Sequence, residues 1–418
     1  MASEELQPLQ GMADLAMPEI ARWQRIESQA RAVLNCYGFT EARTPILERY
    51  DLFVRSLGDE TDVVQKEMYH FEDRGGRQLA LRPEGTAGVI RYIASRGQDA
   101  QDARVYYIGS MFRSERPQAG RRRQFHQLGV EAIGAAQAAV DAEVIALHLH
   151  LLRAWGLSQC RLNINTRGLA SDRVAAQEQL RALLLPRRED LCADCQRRLD
   201  GNVLRVLDCK NPKCAAIVAE LPPLTSFMSV EARAYLDEVC HILKSLDLPF
   251  VLRPNLVRGL DYYQHTVWEI THPALGAQDA IAGGGRYSLN IGGRAIEGVG
   301  FAIGLERAIV ALDAEQPEAP PERLPLVWLV AQGDQAFDDS LRLLQSLRWR
   351  GIPSQMCLDR RSMKAQFRAA DRAKASLVVI RGDAEMEKGI FLLKDLSNGA
   401  QSELEMPELL ERLLQVKA

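Results

Sequence analysis

The hydrophobic positions of this chain change period several times, and each change marks an element. Behind Pro18, the residues Ile20, Trp23, Ala30, Val33 and Leu34 fall near one face at helical spacing, and Gly38 stands where a helix stops. FTEARTPILE is strand-like, with Pro45 confined to an edge, an end or an interface. KEMYHFED and RQLALRPE flank the turn RGG and predict a hairpin. ARVYYIGSMFRSE and RQFHQLGVEAIG predict a second, longer antiparallel hairpin, with Arg113 and Glu115 on the outgoing strand and RPQAGRR as a basic tip. A helix from about Asp141 to Trp155 follows, and Gly156 ends it.

From 168 to 248 the pattern is mostly helical and includes four cysteines. Strand signals return over 250–303 and finish in GVGFAIG, which runs into the helical LERAIVAL. The Pro/Glu-rich DAEQPEAPPERLP predicts a linker. After it, LVWLVAQ, a helix over Gln335–Arg350, IPSQM, a helix around SMKAQFRAADRA, SLVVI and GIFLLKDL alternate as a small α/β domain does. The expected organisation is an α+β body at 1–167 and 249–313, built on a central antiparallel sheet flanked by helices. A helical insertion lies at 168–248, a linker at 314–325 and an α/β domain at 326–418.

A chain of 418 residues fits two or three domains. At 47% hydrophobic and 26% charged, without a low-complexity tract, it reads as globular throughout. The net charge of −3 neither supports nor excludes a nucleic-acid partner, because a large body can carry local basic patches. MASEELQPLQGM lacks the basic start and apolar run of a signal peptide, and no apolar run approaches the roughly 20 residues of a membrane span. Eight cysteines in this length do not suggest a disulfide framework. A cytoplasmic protein with no membrane partner is therefore expected.

Candidate chemistry concentrates on the predicted sheet. Arg113, Arg116, Arg121, Arg122 and Arg123 lie within eleven residues. Gln127, Gly129 and Glu131 share one face of the return strand by alternation. A sheet face carrying Gln and Glu costs desolvation unless a polar ligand satisfies it. Arg82 and Glu84 share another strand face around Pro83, with a partly exposed Glu84–Arg pair as an equal alternative. Arg307 falls near a helix start, where an arginine suits phosphate. LVRGLDYYQ crowds Arg258, Asp261, Tyr262 and Tyr263 into six positions. Three arginines suit a triphosphate; two glutamates, a glutamine and two tyrosines suit a small zwitterion. IAGGGRYSLNIGG is Gly-rich but matches neither a P-loop nor a dinucleotide fingerprint.

These segments resemble the class II aminoacyl-tRNA synthetases, specifically the histidyl-tRNA synthetase family. YGFTEARTPILE, MFRSERPQAGRRRQFHQLGVE and GVGFAIGLERA resemble the three class II motifs, and LVRGLDYY and AGGGRY the two histidine-specific ones. The resemblance runs from QGMADL to LLKDLSNGAQ. It implies activation of L-histidine with ATP and Mg²⁺, transfer to tRNA(His), an anticodon-binding α/β domain and a homodimer contact around Pro45. It implies that Arg113 and Arg258 flank the α-phosphate, that Arg307 holds the γ-phosphate, and that Glu115, Arg121 and Phe125 complete the ATP site. Glu84, Thr86 and Gln127 then take the α-ammonium group, Glu131 and Tyr263 the imidazole nitrogens, and Tyr262 lines the pocket. Arg116, Gln118 and Arg123 are implied at the acceptor end of tRNA, and Arg361, Lys364, Arg368 and Arg372 at phosphates, or else on a solvated helix face.

Family members follow AGGGRY with an aspartate and several more residues before the next Gly-Gly. Here SLNI stands in that place, Ser288 replaces the aspartate, and a shortened loop beside the histidine pocket is expected. Cys192, Cys195, Cys209 and Cys214 are spaced C-x2-C, thirteen residues, C-x4-C. Two such pairs resemble a structural zinc site, with reduced packing thiols as the other reading. Two functional alternatives stand beside the ligase: a synthetase-like regulatory subunit of ATP phosphoribosyltransferase, and a paralogue that acylates another acceptor.

Overall fold

The computed structural model describes residues 6–59, 61–97, 102–115, 120–134, 136–209, 211–257, 262–276, 278–316 and 326–415. It divides into two compact units, Met1–Ala319 and Pro320–Ala418.

An eight-stranded sheet organises the first unit. Its spatial order is Thr40–Glu41, Arg104–Phe112, Gln124–Ile133, Arg294–Gly304, Ala280–Ile291, Tyr263–Thr271, Arg161–Thr166 and Val251–Leu252. The first and last pairs are parallel and every pair between them is antiparallel. Strand alternation divides its residues between two faces. Leu128, Val130, Val299, Phe301 and Ile303 belong to the core that also buries Trp23, Ile26 and Ala30 of helix Glu19–Cys36 and much of helix Ala138–Trp155. The Trp155 indole N–H donates to the Ile26 carbonyl at 2.9 Å, tying those two helices together. Gly156, at φ 87°, stops the second helix in a conformation that favours glycine.

A small antiparallel sheet, Leu47–Arg49, Gln78–Leu81 and His70–Glu72 in spatial order, contains the first predicted hairpin. The insertion packs helices Ala170–Leu184, Ala193–Asp200 and Pro212–Ala219 around its own apolar cluster. The second unit is a five-stranded sheet ordered Ser354–Met356, Val327–Ala331, Leu377–Arg381, Phe391–Asp395 and Gln401–Leu404, parallel across its first three strands and antiparallel across the rest. Among the described residues no helix is long and apolar enough to cross a membrane.

Three local expectations change. SLNI is not a loop: Tyr287–Ile291 continues the Ala280–Ile291 strand and pairs with Arg294–Gly298 across a two-residue turn, Gly292–Gly293, with φ of 61° and 81°. A Gly-Gly pair takes both positive φ values without a steric penalty, so a tight hairpin replaces a longer connection. Arg113 and Glu115 lie past the strand end at Phe112, although the Arg113 N–H still donates to Arg123 O at 2.8 Å. The helix Leu305–Glu315 runs into the expected linker, because LDAE continues its helical pattern.

Candidate active site

A cleft of about 390 Å³ lies over the face of the large sheet opposite the helical core. Its floor is paved with small residues. Gly300, Ala302 and Gly304 pair with Glu131, Gly129 and Gln127, and Gly283 and Gly285 pair with Ala302 and Gly300 on the other side. Paired residues share a face, so Gln127 and Glu131 rise from a floor that leaves room above it. The glycines are required sterically. A Cβ at Gly300 would lie 2.2 Å from Glu131 Oε2, and one at Gly129 would lie 2.0 Å from Tyr107 Cζ. Gly300→Ala is therefore expected to cost about 1–3 kcal/mol by overpacking and to displace Glu131. A thermal melt that matches the parent protein would contradict this contact.

The deep end of the cleft is a closed polar network. The Thr86 hydroxyl donates to Glu131 Oε1 and the Tyr287 hydroxyl to Glu131 Oε2, both at 2.7 Å. Glu131 is 1% exposed, and burial pushes its carboxyl up to about 8. Beside it, the Glu84 carboxylate accepts the N–H groups of Thr86 (2.7 Å) and Ala87 (2.9 Å), where a helix start at Thr86 leaves backbone donors unpaired. Burial raises the Glu84 carboxyl too. Tyr262 and Tyr263 pack ring to ring at 4.7 Å, and Tyr262 meets Tyr287 edge-on at 5.7 Å. Gln127 Oε1 is buried without a hydrogen-bond partner, a cost that an arriving donor would remove.

The other lining is cationic. Arg113 donates from Nε to Pro83 O at 2.9 Å and sits 5.4 Å over the Phe125 ring. Glu115 bridges Arg113 at 3.7 Å and Arg121 at 2.9 Å. Arg307 is held by the carbonyls of Ala280 (2.6 Å) and Gln278, and burial lowers its guanidinium pKa. Glu306, next to it, grips the His126 backbone N–H at 2.9 Å.

Glu84, Thr86, Arg113, Glu115, Arg121, Phe125, Gln127, Glu131, Tyr262, Tyr263 and Arg307 thus line one cleft. Arg123 is not in its lining; its neighbour Arg122 is. Arg258, Asp261, Arg116 and Gln118 lie outside the described residues. Arg82 donates to the carbonyls of Ser110 and Thr44 and Glu84 accepts backbone N–H groups, so in place of the alternative Glu84–Arg pair each side chain has backbone partners. The sequence reading omitted Tyr287, Glu67, Glu306, Arg205 and Asp208 from the lining. AGGGRY was the available signal for Tyr287; its neighbour Arg286 points the other way, into a buried pair with Asp141.

In the insertion, the sulfur atoms of Cys192, Cys195, Cys209 and Cys214 all lie within 4.8 Å of one another.

Antiparallel strands with this order, a Gly-paved floor, an arginine over a phenylalanine and a helix that starts beside the cleft build the catalytic body of a class II aminoacyl-tRNA synthetase. The family model for histidyl-tRNA synthetase matches residues 11–308, and that for an anticodon binding domain matches 326–416. The chain belongs to the histidyl-tRNA synthetase family. It is 46% identical over 402 residues to histidine–tRNA ligase 2 of Bacillus cereus, covering 94% of this chain and 95% of that protein. It is 45% identical over 413 residues to histidine–tRNA ligase of Geobacillus thermodenitrificans, covering 97% of each. The structure of apo S. aureus histidyl-tRNA synthetase superposes with a TM-score of 0.81 at 34% identity, over 98% of this chain and all of that one.

Proposed function

We propose that the chain joins L-histidine to tRNA(His) in two steps at this cleft. The observation that carries the reading is that the Glu131 network and the Arg113–Phe125–Arg307 group line the same cavity. In the first step, a histidine carboxylate oxygen bonds to the α-phosphorus of Mg²⁺–ATP as the bond to the β-phosphate oxygen breaks. The carboxylate is already ionised at neutral pH, so no general base is required. Catalysis then rests on alignment and on charge stabilisation at phosphorus. Arg113 and Arg258 supply that charge, Arg307 takes the γ-phosphate, Phe125 stacks on adenine, and Glu115 and Arg121 hold the nucleotide. Gln127, Glu84 and Thr86 receive the α-ammonium group. Glu131 and Tyr263 pair the two ring nitrogens, with Tyr262 packing the pocket wall. A pocket that pairs both nitrogens rejects isosteres that would leave its buried groups unmet.

In the second step the terminal adenosine hydroxyl of tRNA attacks the carbonyl carbon and AMP leaves. Arg116, Gln118 and Arg123 serve the acceptor end. The exposed Lys364 and Arg368 of helix Met363–Arg372, with Arg361 just before it, support phosphate contact in the anticodon-binding domain. Exposed Ile46, Leu47 and Phe71 around the small sheet support a homodimer contact near Pro45. The mutual spacing of the four thiols supports one structural Zn²⁺ ion. Kinship with ligases over nearly the whole length favours this reading over a regulatory subunit.

The test is histidine-dependent ATP–pyrophosphate exchange by the purified protein, followed by charging of tRNA(His). Robust exchange that Arg258→Ala lowers at least a hundredfold is expected. A folded protein without exchange would overturn the enzymatic reading.

A further inference from the structure

The four cysteines lie far from the cleft in sequence pattern, yet the segment between the two pairs reaches it. Cys192 precedes helix Ala193–Asp200 and Cys195 lies in its first turn; Cys209 follows a short 3₁₀ turn, Val203–Asp208, and Cys214 lies in helix Pro212–Ala219. Cys192 and Cys209 sulfurs are 3.8 Å apart. A disulfide needs about 2.05 Å. Tetrahedral thiolates at about 2.3 Å from zinc are about 3.8 Å from one another. The Cys192 N–H also donates to Cys214 Sγ at 3.2 Å, which neutralises part of a thiolate's charge. The spacing suits a metal held by four sulfurs.

What the cluster anchors is the 3₁₀ turn. Val203, Leu204, Val206 and Leu207 are buried in the insertion's core, and the Cys209 N–H donates to Val206 O at 3.1 Å, so the turn closes directly onto a thiol ligand. Arg205 and Asp208 are the residues of that turn that lie outside this core. The Arg205 guanidinium meets Asp62 at 2.5 Å, and both residues line the cleft, as does Asp208. Asp62 immediately precedes the Val63–Glu67 helical turn, and the Glu67 carbonyl accepts the Ser114 N–H at 2.6 Å. Ser114 lies between Arg113 and Glu115. An unbroken set of contacts therefore joins the thiol cluster to the loop that carries the nucleotide-facing side chains. Val257 adds a second link, being packed in the insertion's core while lining the cleft.

We propose that the four thiolates bind one zinc ion and that this ion, through Arg205 and Asp62, positions the Arg113–Glu115 loop for ATP. This rests on the ligase reading above. Arg205 is a positioning residue: it acts on Asp62 rather than on the reacting atoms. On zinc binding, each thiol that is still protonated releases its proton to solvent, so loading strengthens as pH rises.

The experiment uses the full-length protein and two independent readouts. Metal content is measured directly, and again after exchange with Co²⁺, whose thiolate charge-transfer band reports sulfur ligation without any activity. Pyrophosphate exchange then gives KM for ATP and for histidine. One zinc per chain is expected, lost in Cys209→Ser or after chelation. Loss of zinc, and separately Arg205→Ala, is each expected to raise KM for ATP about tenfold and to change KM for histidine little. Arg205→Ala keeps its zinc, and Arg205→Lys recovers most of the ATP affinity. Chelating Arg205→Ala adds no further rise, because both changes break one chain of contacts. Zinc restored to chelated parent protein restores KM, which separates positioning from misfolding of the cysteine variant. Protein that carries no zinc and shows no cobalt–thiolate band overturns the site. A zinc-loaded Arg205→Ala with parental KM for ATP, or additive effects of the two changes, overturns the coupling. Failure of the ligase reading is distinct, since parent protein would then show no exchange whatever its metal content.

Discussion

Arg113→Ala is expected to lower histidine-dependent pyrophosphate exchange by about a hundred- to a thousandfold, with most of the loss in kcat. The guanidinium is placed before ATP arrives: Pro83 O holds its Nε and the Phe125 ring underlies it at 5.4 Å. A cation fixed in advance stabilises charge developing at the α-phosphate without reorganising during the step. It contributes more in the transition state than in the bound ground state, so kcat falls more than KM rises. Arg113→Lys should recover little. A lysine ammonium cannot donate to the Pro83 carbonyl and present a planar fork to phosphate at the same time. Steady-state exchange at saturating and limiting ATP separates the two constants. A drop of less than tenfold for Arg113→Ala would remove this side chain from the chemistry.

Glu131→Gln carries the second large effect, on both binding and stability. Burial lifts the Glu131 carboxyl to about 8 although Thr86 and Tyr287 both donate to it. With both hydroxyls donating, the neutral acid has its own O–H left for a ring nitrogen of the substrate. The folded pKa lies above the ordinary carboxylate value of 4.5, so the folded state binds this proton more tightly than the unfolded chain does. The associated stability is complete below pH about 4.5 and is lost as pH rises to about 8, by an amount on the order of a few kcal/mol. Glutamine at this position has no proton to lose. Relative to parent protein, Glu131→Gln should therefore gain stability between about pH 5 and 8 and level off above that. Its KM for histidine should rise about a hundredfold, because an amide fills the space but offers different hydrogen-bonding to the imidazole. Parallel denaturation midpoints for the two proteins across that pH range would show that Glu131 does not carry a displaced pKa.

Much of the cleft could be read from residue order. Alternation alone put Gln127 and Glu131 on one face, and the structure lines the cleft with both. Leu128 and Val130 alternate with them along the strand and are fully buried in the core on the other face. Arg307 was legible because a glycine-rich strand ending at a helical repeat marks a helix start. Tyr287 was harder to assign. It lies beside Arg286 in the same motif, and the unbroken pairing of Gly285 with Gly300 and of Tyr287 with Gly298 sets it on the face of the glycine floor, where its hydroxyl meets Glu131. SLNI was misread for a related reason: without its partner strand, a short segment before two glycines gives no sign that it completes a ladder. The second unit shows the same limit, since Gln401–Leu404 is exposed at the sheet edge and lacks the apolar alternation that announces a strand.

Residue order by itself determined periodicity, turn positions and the chemical types available on each face, because those follow from backbone geometry acting over a few residues. It was enough to place the family. The tertiary structure decided which charges meet. Glu131 takes its two hydrogen bonds from residues 45 and 156 positions away, and Arg205 reaches Asp62 from the far side of the cleft's sequence. A proton's affinity depends on burial and on partners in space, and neither is encoded within one strand or helix. The acid at the bottom of this cleft, and the path from four thiols to the Arg113 loop, exist only once the sheet and the insertion have packed.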